Sequence, residues 1–76
     1  METDLRWTDL SEANLSYADM RGALLTATNL EGVDFRGANL NKTDMYGAIL
    51  KRANLYDVAL VGANLEEVNC RQADLS

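Results

Sequence analysis

The stretch Val33-Asp34-Phe35-Arg36-Gly37-Ala38-Asn39-Leu40 repeats one five-residue pattern twice: a small residue, Asp or Asn, a large apolar residue and two polar or glycine positions. The pattern extends along the whole chain. Every fifth position from Leu5 to Leu75 is apolar, fifteen positions in all without a shift of register. The 76-residue chain is therefore predicted to be an array of short repeats that forms one domain, residues 1–76.

Each repeat has an inward and an outward part. The apolar residue at every fifth position is called here the large position, and the small position lies two residues before it. The small position is never charged and never larger than Val, and the outer position between the two is Asp or Asn in twelve of the fifteen repeats. We expect the large and small positions to face a core and the outer Asp or Asn to hydrogen-bond to nearby backbone.

A period of five fits neither a helix nor a straight strand. A five-residue step rotates by about 140° on an α-helix, and it alternates between the two faces of a strand. The leucines share one core only if the chain turns a corner in every repeat. All five glycines fall at the second of the two corner positions that follow the large residue, where a type II turn requires a positive φ: Gly22, Gly32, Gly37, Gly47 and Gly62.

Bulky residues occupy the same corner position in other repeats. A positive φ is costly for residues with a Cβ, so we expect a different turn type at these corners, and a mixture of turn types overall, at Trp7, Tyr17, Arg52 and Glu67. Four straight sides would close a square coil of about twenty residues, stacked at about 4.8 Å with parallel ladders. Four is the simplest closure for right-angled corners, although the sequence alone does not fix that number.

Several repeats carry the same three residues. Ala13-Asn14-Leu15, Ala38-Asn39-Leu40, Ala53-Asn54-Leu55 and Ala63-Asn64-Leu65 are each followed by two variable positions. The chain resembles the pentapeptide-repeat family, and the match covers its whole length. The resemblance implies an all-β fold, a right-handed quadrilateral parallel β-helix with four pentapeptides per coil. Fifteen repeats would give just under four coils and a rod on the order of 20 Å long.

Composition limits the function. Seven Lys and Arg against twelve Asp and Glu give a net charge of −5, which argues against nucleic-acid or anionic-membrane binding. The chain has no His and a single Cys, so the usual catalytic constellations are absent and we expect no enzyme activity, metal or cofactor. The longest apolar run, 58–61, is too short for a signal or a membrane span, which favours a cytoplasmic protein. Cys70 occupies a large position, so we expect an inward, unreactive thiol.

Departures from the pattern mark a candidate interaction patch. Leu24, Ile49 and Ala59 replace Asp or Asn at the outer position. When repeats are assigned to sides by fours, Trp7, Leu24 and Tyr46 fall on one side. Single exposed apolar residues are normal on any surface, but Trp and Tyr are favoured anchors at interfaces.

The two ends supply a second candidate surface. The repeats run to both termini without a cap, so unpaired backbone edges and apolar residues would face solvent and favour a homo-oligomer. An alternative is that the chain is a trimmed piece of a longer protein. The candidate end-association edges comprise Leu5, Leu10, Leu15 and Met20 at one end and Leu60, Leu65, Cys70 and Leu75 at the other.

Two functions follow from these features. The first is a non-enzymatic structural or protein-interaction scaffold with a protein partner or self-association. The alternative comes from the family resemblance, because a minority of its members mimic DNA and regulate type II topoisomerases, giving quinolone or toxin protection. Duplex DNA carries about one charge per 1.7 Å, so a 20 Å mimic needs roughly a dozen charges. A net charge of −5 is too small, and one side balances its charges, with Asp9, Glu12 and Glu31 against Lys51, Arg52 and Arg71.

Overall fold

The computed structural model describes residues 3–75; residues 1, 2 and 76 of the predicted domain lie outside them. Successive passes of the chain are joined by single parallel bridges between outer positions twenty residues apart, as between Asp4 and Leu24 and between Leu24 and Asp44. Within residues 3–75 no helix forms, and no strand extends beyond one bridged residue. One turn of the coil therefore contains four repeats, as the family resemblance implied.

In a repeat that has a neighbouring pass on each side and Asp or Asn at its outer position, all five amides have a defined acceptor, which explains the sequence pattern. Three of them bond to neighbouring passes: Leu24 N–H donates to Thr3 O at 2.8 Å, Leu5 N–H to Leu24 O at 2.8 Å, and Trp7 N–H to Thr26 O at 3.1 Å. A fourth closes the corner within the repeat. The remaining amide, at the first corner position, has no backbone acceptor, and the outer Asp or Asn accepts from it through Oδ1. Asp and Asn therefore recur because they accept a hydrogen bond from the one amide that has no backbone acceptor in the coil.

The corners are uniform, so the prediction of mixed turn types was wrong. The second corner position has a positive φ throughout the described chain, at glycine and at nine other residues, including Trp7 (64°), Tyr17 (61°), Arg52 (60°) and Glu67 (60°). The reason is stacking. Wherever a next pass follows, the amide of the second corner position bonds to the corner of that pass, so the corners of one column share one conformation even where the residue disfavours it. The ladder hydrogen bonds therefore override the local preference.

The core lies between residues 23 and 55, where every large and small position is buried, Phe35 and Leu40 among them. The buried hydroxyls are also paired: Thr28 Oγ1 donates to Leu5 O at 2.7 Å and Thr43 Oγ1 to Leu40 O at 2.9 Å. The inward assignment is therefore confirmed for the middle of the stack. The expectation of an inward Cys70 was wrong in part: the residue is exposed in the last pass, where no further pass covers it, and its thiol is only partly buried.

The body is hardly elongated, with extents of 26 × 21 × 20 Å, so a rod is a poor description of it. No described helix is long and apolar enough to cross a membrane.

Candidate interaction surface

Columns of residues twenty apart define four sides. We name each side after one residue: the Trp7 side, the Arg52 side, the Tyr17 side and the Lys42 side. Each consists of a column of outer positions and the two corner columns that follow it. On the Trp7 side the outer column is Asp4, Leu24, Asp44 and Asn64.

The structure places the three predicted patch residues on the Trp7 side. Trp7 is 81% exposed and Tyr46 is 47% exposed, whereas Leu24 is half-buried between its column neighbours. The corner column that continues from Trp7 holds two small residues, Ala27 and Gly47. A Cβ built at Gly47 would meet no atom within 4 Å, so the surface beside Tyr46 is open. The two aromatic side chains thus border a shallow open area on the Trp7 side.

Leu24 has a local cost in hydrogen bonding. Its side chain cannot accept from the amide of Thr26, which corresponds to the amide that Asp4 Oδ1 binds one pass earlier at 3.2 Å. In residues 3–75 the amide of Lys51 lacks a side-chain acceptor in the same way, because Ile49 is the outer residue. The third departure is compensated. Val61 N–H donates instead to Asn41 Oδ1 of the preceding pass at 2.9 Å.

The Tyr17 side carries an aromatic group that the sequence reasoning missed. Tyr17 is 77% exposed and one edge of its ring lies against Gly37, where a Cβ would collide with Cδ1 and Cε1. Tyr56 is also exposed on this side, and Arg36 lies in the pass between the two tyrosines. A glycine twenty residues after an aromatic corner residue is the sequence signal that could have found this contact.

Short-range ion pairs neutralise much of the acidic surface. In three repeats an arginine two residues after the outer Asp binds both carboxylate oxygens through Nε and Nη2. The Arg6 and Arg21 guanidinium groups lower the pKa of Asp4 and Asp19, respectively, to about 2, mainly through these side-chain hydrogen bonds. Arg36 lowers the pKa of Asp34 in the same way.

The Arg52 side contains a longer-range cluster. Arg52 Nη2 lies 2.6 Å from Glu31 Oε2 and 3.9 Å from Glu12 Oε2, so one guanidinium links three successive passes. The Glu12 carboxylate reaches this position by lying over Gly32, where a Cβ would collide with it. The hydrogen bond from Arg52 lowers the pKa of Glu31.

No catalytic or metal site is recognisable among the residues that the structure describes. Among residues 3–75, no three His, Cys, Asp or Glu side chains come together in a way that could hold a metal ion. An open depression of about 460 Å³ on the Lys42 side is lined by Arg21, Gly22, Asn41 and Lys42, which offer hydrogen-bond donors but no carboxylate, thiol or hydroxyl group. Burial raises the pKa of the Cys70 thiol.

The predicted edge residues lie at the two ends of the stack: Leu5, Leu10, Leu15 and Met20 in the first pass, Leu60 at the end of the third, and Leu65, Cys70 and Leu75 in the last. Those of the first pass are partly buried against the core. Those of the last pass are more exposed, with Leu75 at 67% and Leu65 at 42%. They form two separate groups, both distinct from the Trp7 patch.

Comparison with known proteins gives the chain a family. The model for pentapeptide repeats matches eight copies over residues 2–26, 18–57 and 53–76. Among solved structures, the chain is similar to the pentapeptide-repeat protein Rfr23 from the cyanobacterium Cyanothece 51142, with 32% identity and a TM-score of 0.56 over 93% of this chain and 55% of that one. It is also similar to HetL from Nostoc sp. strain PCC 7120, a pentapeptide-repeat protein involved in regulating heterocyst differentiation.

The alignment with HetL has 33% sequence identity and a TM-score of 0.54, and it covers 95% of this chain and 38% of HetL. A thylakoid-lumen pentapeptide-repeat protein from Arabidopsis thaliana has 22% identity and a TM-score of 0.60, over 97% of this chain and 62% of that one, and shows the fold alone. The chain thus spans about half of Rfr23 and less than half of HetL. No protein with curated function matches the sequence. The repeats, the twenty-residue coil and these matches together show that the chain belongs to the pentapeptide-repeat family, whose members are β-helix-type and generally non-catalytic scaffolds.

Proposed function

We propose that this chain is a non-enzymatic protein-interaction module, a right-handed quadrilateral β-helix of just under four coils that binds a protein partner through the Trp7 side. The observation that carries the proposal is the placement of Trp7, Leu24 and Tyr46 on one side of a rigid coil, with Trp7 81% exposed. A Trp or Tyr side chain buries about 150–250 Å² when it enters a pocket, so two of them supply the centre of a small interface.

Leu24 supports the same side. An Asn at this position would satisfy the Thr26 amide, as Asp and Asn do in most repeats, so Leu24 is unfavourable for the isolated coil. Residues that break a local rule without compensation within the fold are expected at functional sites. Contact between the Leu24 side chain and a partner would provide that compensation.

Charge indicates the chemistry of the partner. The Trp7 side carries the acidic residues Asp4, Asp44, Glu66 and Glu67 against the single basic residue Arg6. The complementary surface is a basic one with an apolar pocket for the indole ring.

Partner capture with matched variants tests the proposal. Trp7→Ala and Leu24→Asn should each abolish capture of a partner from a lysate, whereas Tyr17→Ala, which removes an equally exposed aromatic residue from another side, should leave it intact. With the purified partner, the fluorescence of Trp7, the one Trp in the chain, should become shielded from acrylamide. Equal capture by all three variants would contradict the proposal.

Self-association through the ends of the 76-residue chain is a separate part of the proposal. Burial of about 300 Å² of apolar surface at a joint is worth about 7 kcal/mol before the cost of association. The net charge of −5 opposes such contact, so end-to-end association should strengthen with salt. Sedimentation velocity of Leu10→Lys and Leu75→Lys tests it. Oligomers that are indifferent to both substitutions would show that the ends are not the interface.

Regulation of a topoisomerase by DNA mimicry has less support. Asp4, Asp19 and Asp34 are each paired with an arginine, so they contribute little uncompensated charge to a continuous negative surface. A supercoiling assay with a type II topoisomerase distinguishes the two functions. The cytoplasmic location expected from the sequence also belongs to the proposal, and cell fractionation tests it.

A further inference from the structure

The charges on the Arg52 side are ordered along the stack. The first pass presents Asp9 and Glu12, and the second presents Glu31. The third presents Lys51 and Arg52, and the fourth presents Arg71. Bridges between the outer residues and hydrogen bonds between the corners align these passes in columns. The side as a whole is neutral. Its N-terminal half is acidic and its C-terminal half is basic.

From this order we infer that the Arg52 side is a self-complementary interface for a second copy of the chain, docked antiparallel about a two-fold axis between the second and third passes. In that arrangement the first pass of each copy faces the fourth pass of the other, and the second faces the third. Every acidic row then meets a basic row. A parallel arrangement would instead place like charges opposite each other, so the charge order selects the antiparallel one.

Several charged side chains of the Arg52 side are available to pair with a second copy. Arg52 is occupied by Glu31 at 2.6 Å, but Lys51 and Arg71 have no ion pair among the described residues. Within residues 3–75 the Asp9 carboxylate accepts hydrogen bonds only from Ser11, and Glu12 is 3.9 Å from Arg52 with an exposed side chain. In the antiparallel pair, Asp9 and Glu12 would face Arg71 of the second copy.

Ile49 gives an independent indication at the centre of this side. It lies in the third pass, next to the inferred two-fold axis, and it replaces the Asp or Asn that would satisfy the Lys51 amide. An apolar residue that costs the coil a hydrogen bond, flanked by complementary charges, has the composition of an interface centre with a polar rim.

The size of the side limits the strength of the association. A body of 26 × 21 × 20 Å offers on the order of 400 Å² per copy, about 800 Å² for the pair, which is below the area of stable interfaces. We therefore expect a weak dimer, populated at protein concentrations on the order of 1 mM and low salt. Raising the salt from about 0.01 M to about 1 M shortens the screening length from about 30 Å to about 3 Å and should weaken it at least tenfold.

Charge-reversal variants test the inference by mutual rescue. K51E/R71E makes the basic half acidic, and S11K/E12K makes the first pass basic while keeping Asp9 and its turn. Each variant should self-associate more weakly than the parent, but an equimolar mixture of the two should form a heterodimer. Three of its four facing rows then bring opposite charges together, and in the fourth Glu31 faces a third pass that K51E leaves neutral. R21E/K42E is the control: its two reversals change the net charge from −5 to −9, as K51E/R71E does, but leave the Arg52 side unaltered, so it should dimerise nearly as the parent does.

Ile49→Asn separates association from folding. The new Oδ1 should satisfy the Lys51 amide and raise the melting temperature, while dimerisation weakens. Sedimentation equilibrium and circular dichroism measure the two effects. A strictly monomeric parent at 1 mM and low salt, a mixture without rescue, or equal weakening by R21E/K42E would each overturn the inference. End-to-end association is separated by its opposite salt dependence: in Leu75→Lys a dimer that weakens with salt should remain, and the absence of any such dimer would overturn the inference as well.

Discussion

Removing one outer asparagine should destabilise the coil by a predictable amount. Asn54 Oδ1 accepts a hydrogen bond from Tyr56 N–H at 3.1 Å, and the corner offers this amide no backbone acceptor. Loss of a neutral hydrogen bond costs about 0.5–1.5 kcal/mol, and 1 kcal/mol shifts the melting temperature of a domain this size by about 4–8 °C. Asn54→Ala should therefore melt several degrees below the parent in thermal circular dichroism.

Three matched variants isolate the hydrogen bond. Asn54→Asp keeps an Oδ1 acceptor and should melt close to the parent. Ile49→Asn should move in the opposite direction, by a smaller amount because some apolar burial is lost. Ala59→Asn should be nearly neutral, because Asn41 already binds the Val61 amide at 2.9 Å. If Asn54→Ala melts like the parent, or if Ala59→Asn stabilises as much as Ile49→Asn, then the outer residue does not act through this bond.

Other predictions concern the core, the charges and the corners. Ala53→Asp should unfold the chain in a circular dichroism melt, because the 1%-exposed side chain faces the core. Because the pKa of Asp19 is lowered to about 2, its stabilisation is present above about pH 4 and is lost as the pH falls toward 2, so Asp19→Asn should flatten the acid limb of a stability curve. Gly47→Ala should cost about 1 kcal/mol from its positive φ alone, and Gly37→Ala should cost more in urea unfolding because it also displaces the Tyr17 ring; equal costs would contradict that contact.

The repeat made most of the fold predictable. A period of five is compatible with only one inward pair per repeat, so the sequence alone assigns residues such as Leu25 and Ala38 to the core, where both are buried. The corners at Trp7 and Tyr17 could not be predicted in this way. Their conformation is fixed by hydrogen bonds to the next pass, a long-range constraint that local preference does not contain.

The surface was predictable only in part. Grouping repeats by fours placed Trp7, Leu24 and Tyr46 together, and the structure has them on one side. It did not reveal that Glu12 lies across Gly32 toward Arg52, because that contact depends on side-chain direction over a corner. The exposure of Cys70 was missed for another reason: a position in the repeat defines an inward direction, but only a neighbouring pass on each side provides cover.

Because the bridges join residues twenty apart, inserting or deleting whole repeats changes the surface of the coil without changing its core. Insertion or deletion of one pentapeptide leaves every later repeat with the same inward pair, so packing is preserved, but it rotates all later outer residues by a quarter turn. An insertion between Glu31 and Lys51 would move Lys51, Arg52 and Arg71 to a different side from Glu12 and Glu31. The charge gradient would be lost without an unfavourable contact in the core. Insertion of four repeats restores the phase. In such a coil, an insertion of four repeats therefore lengthens a surface and keeps its residues on one side, whereas an insertion of one, two or three repeats distributes them over different sides.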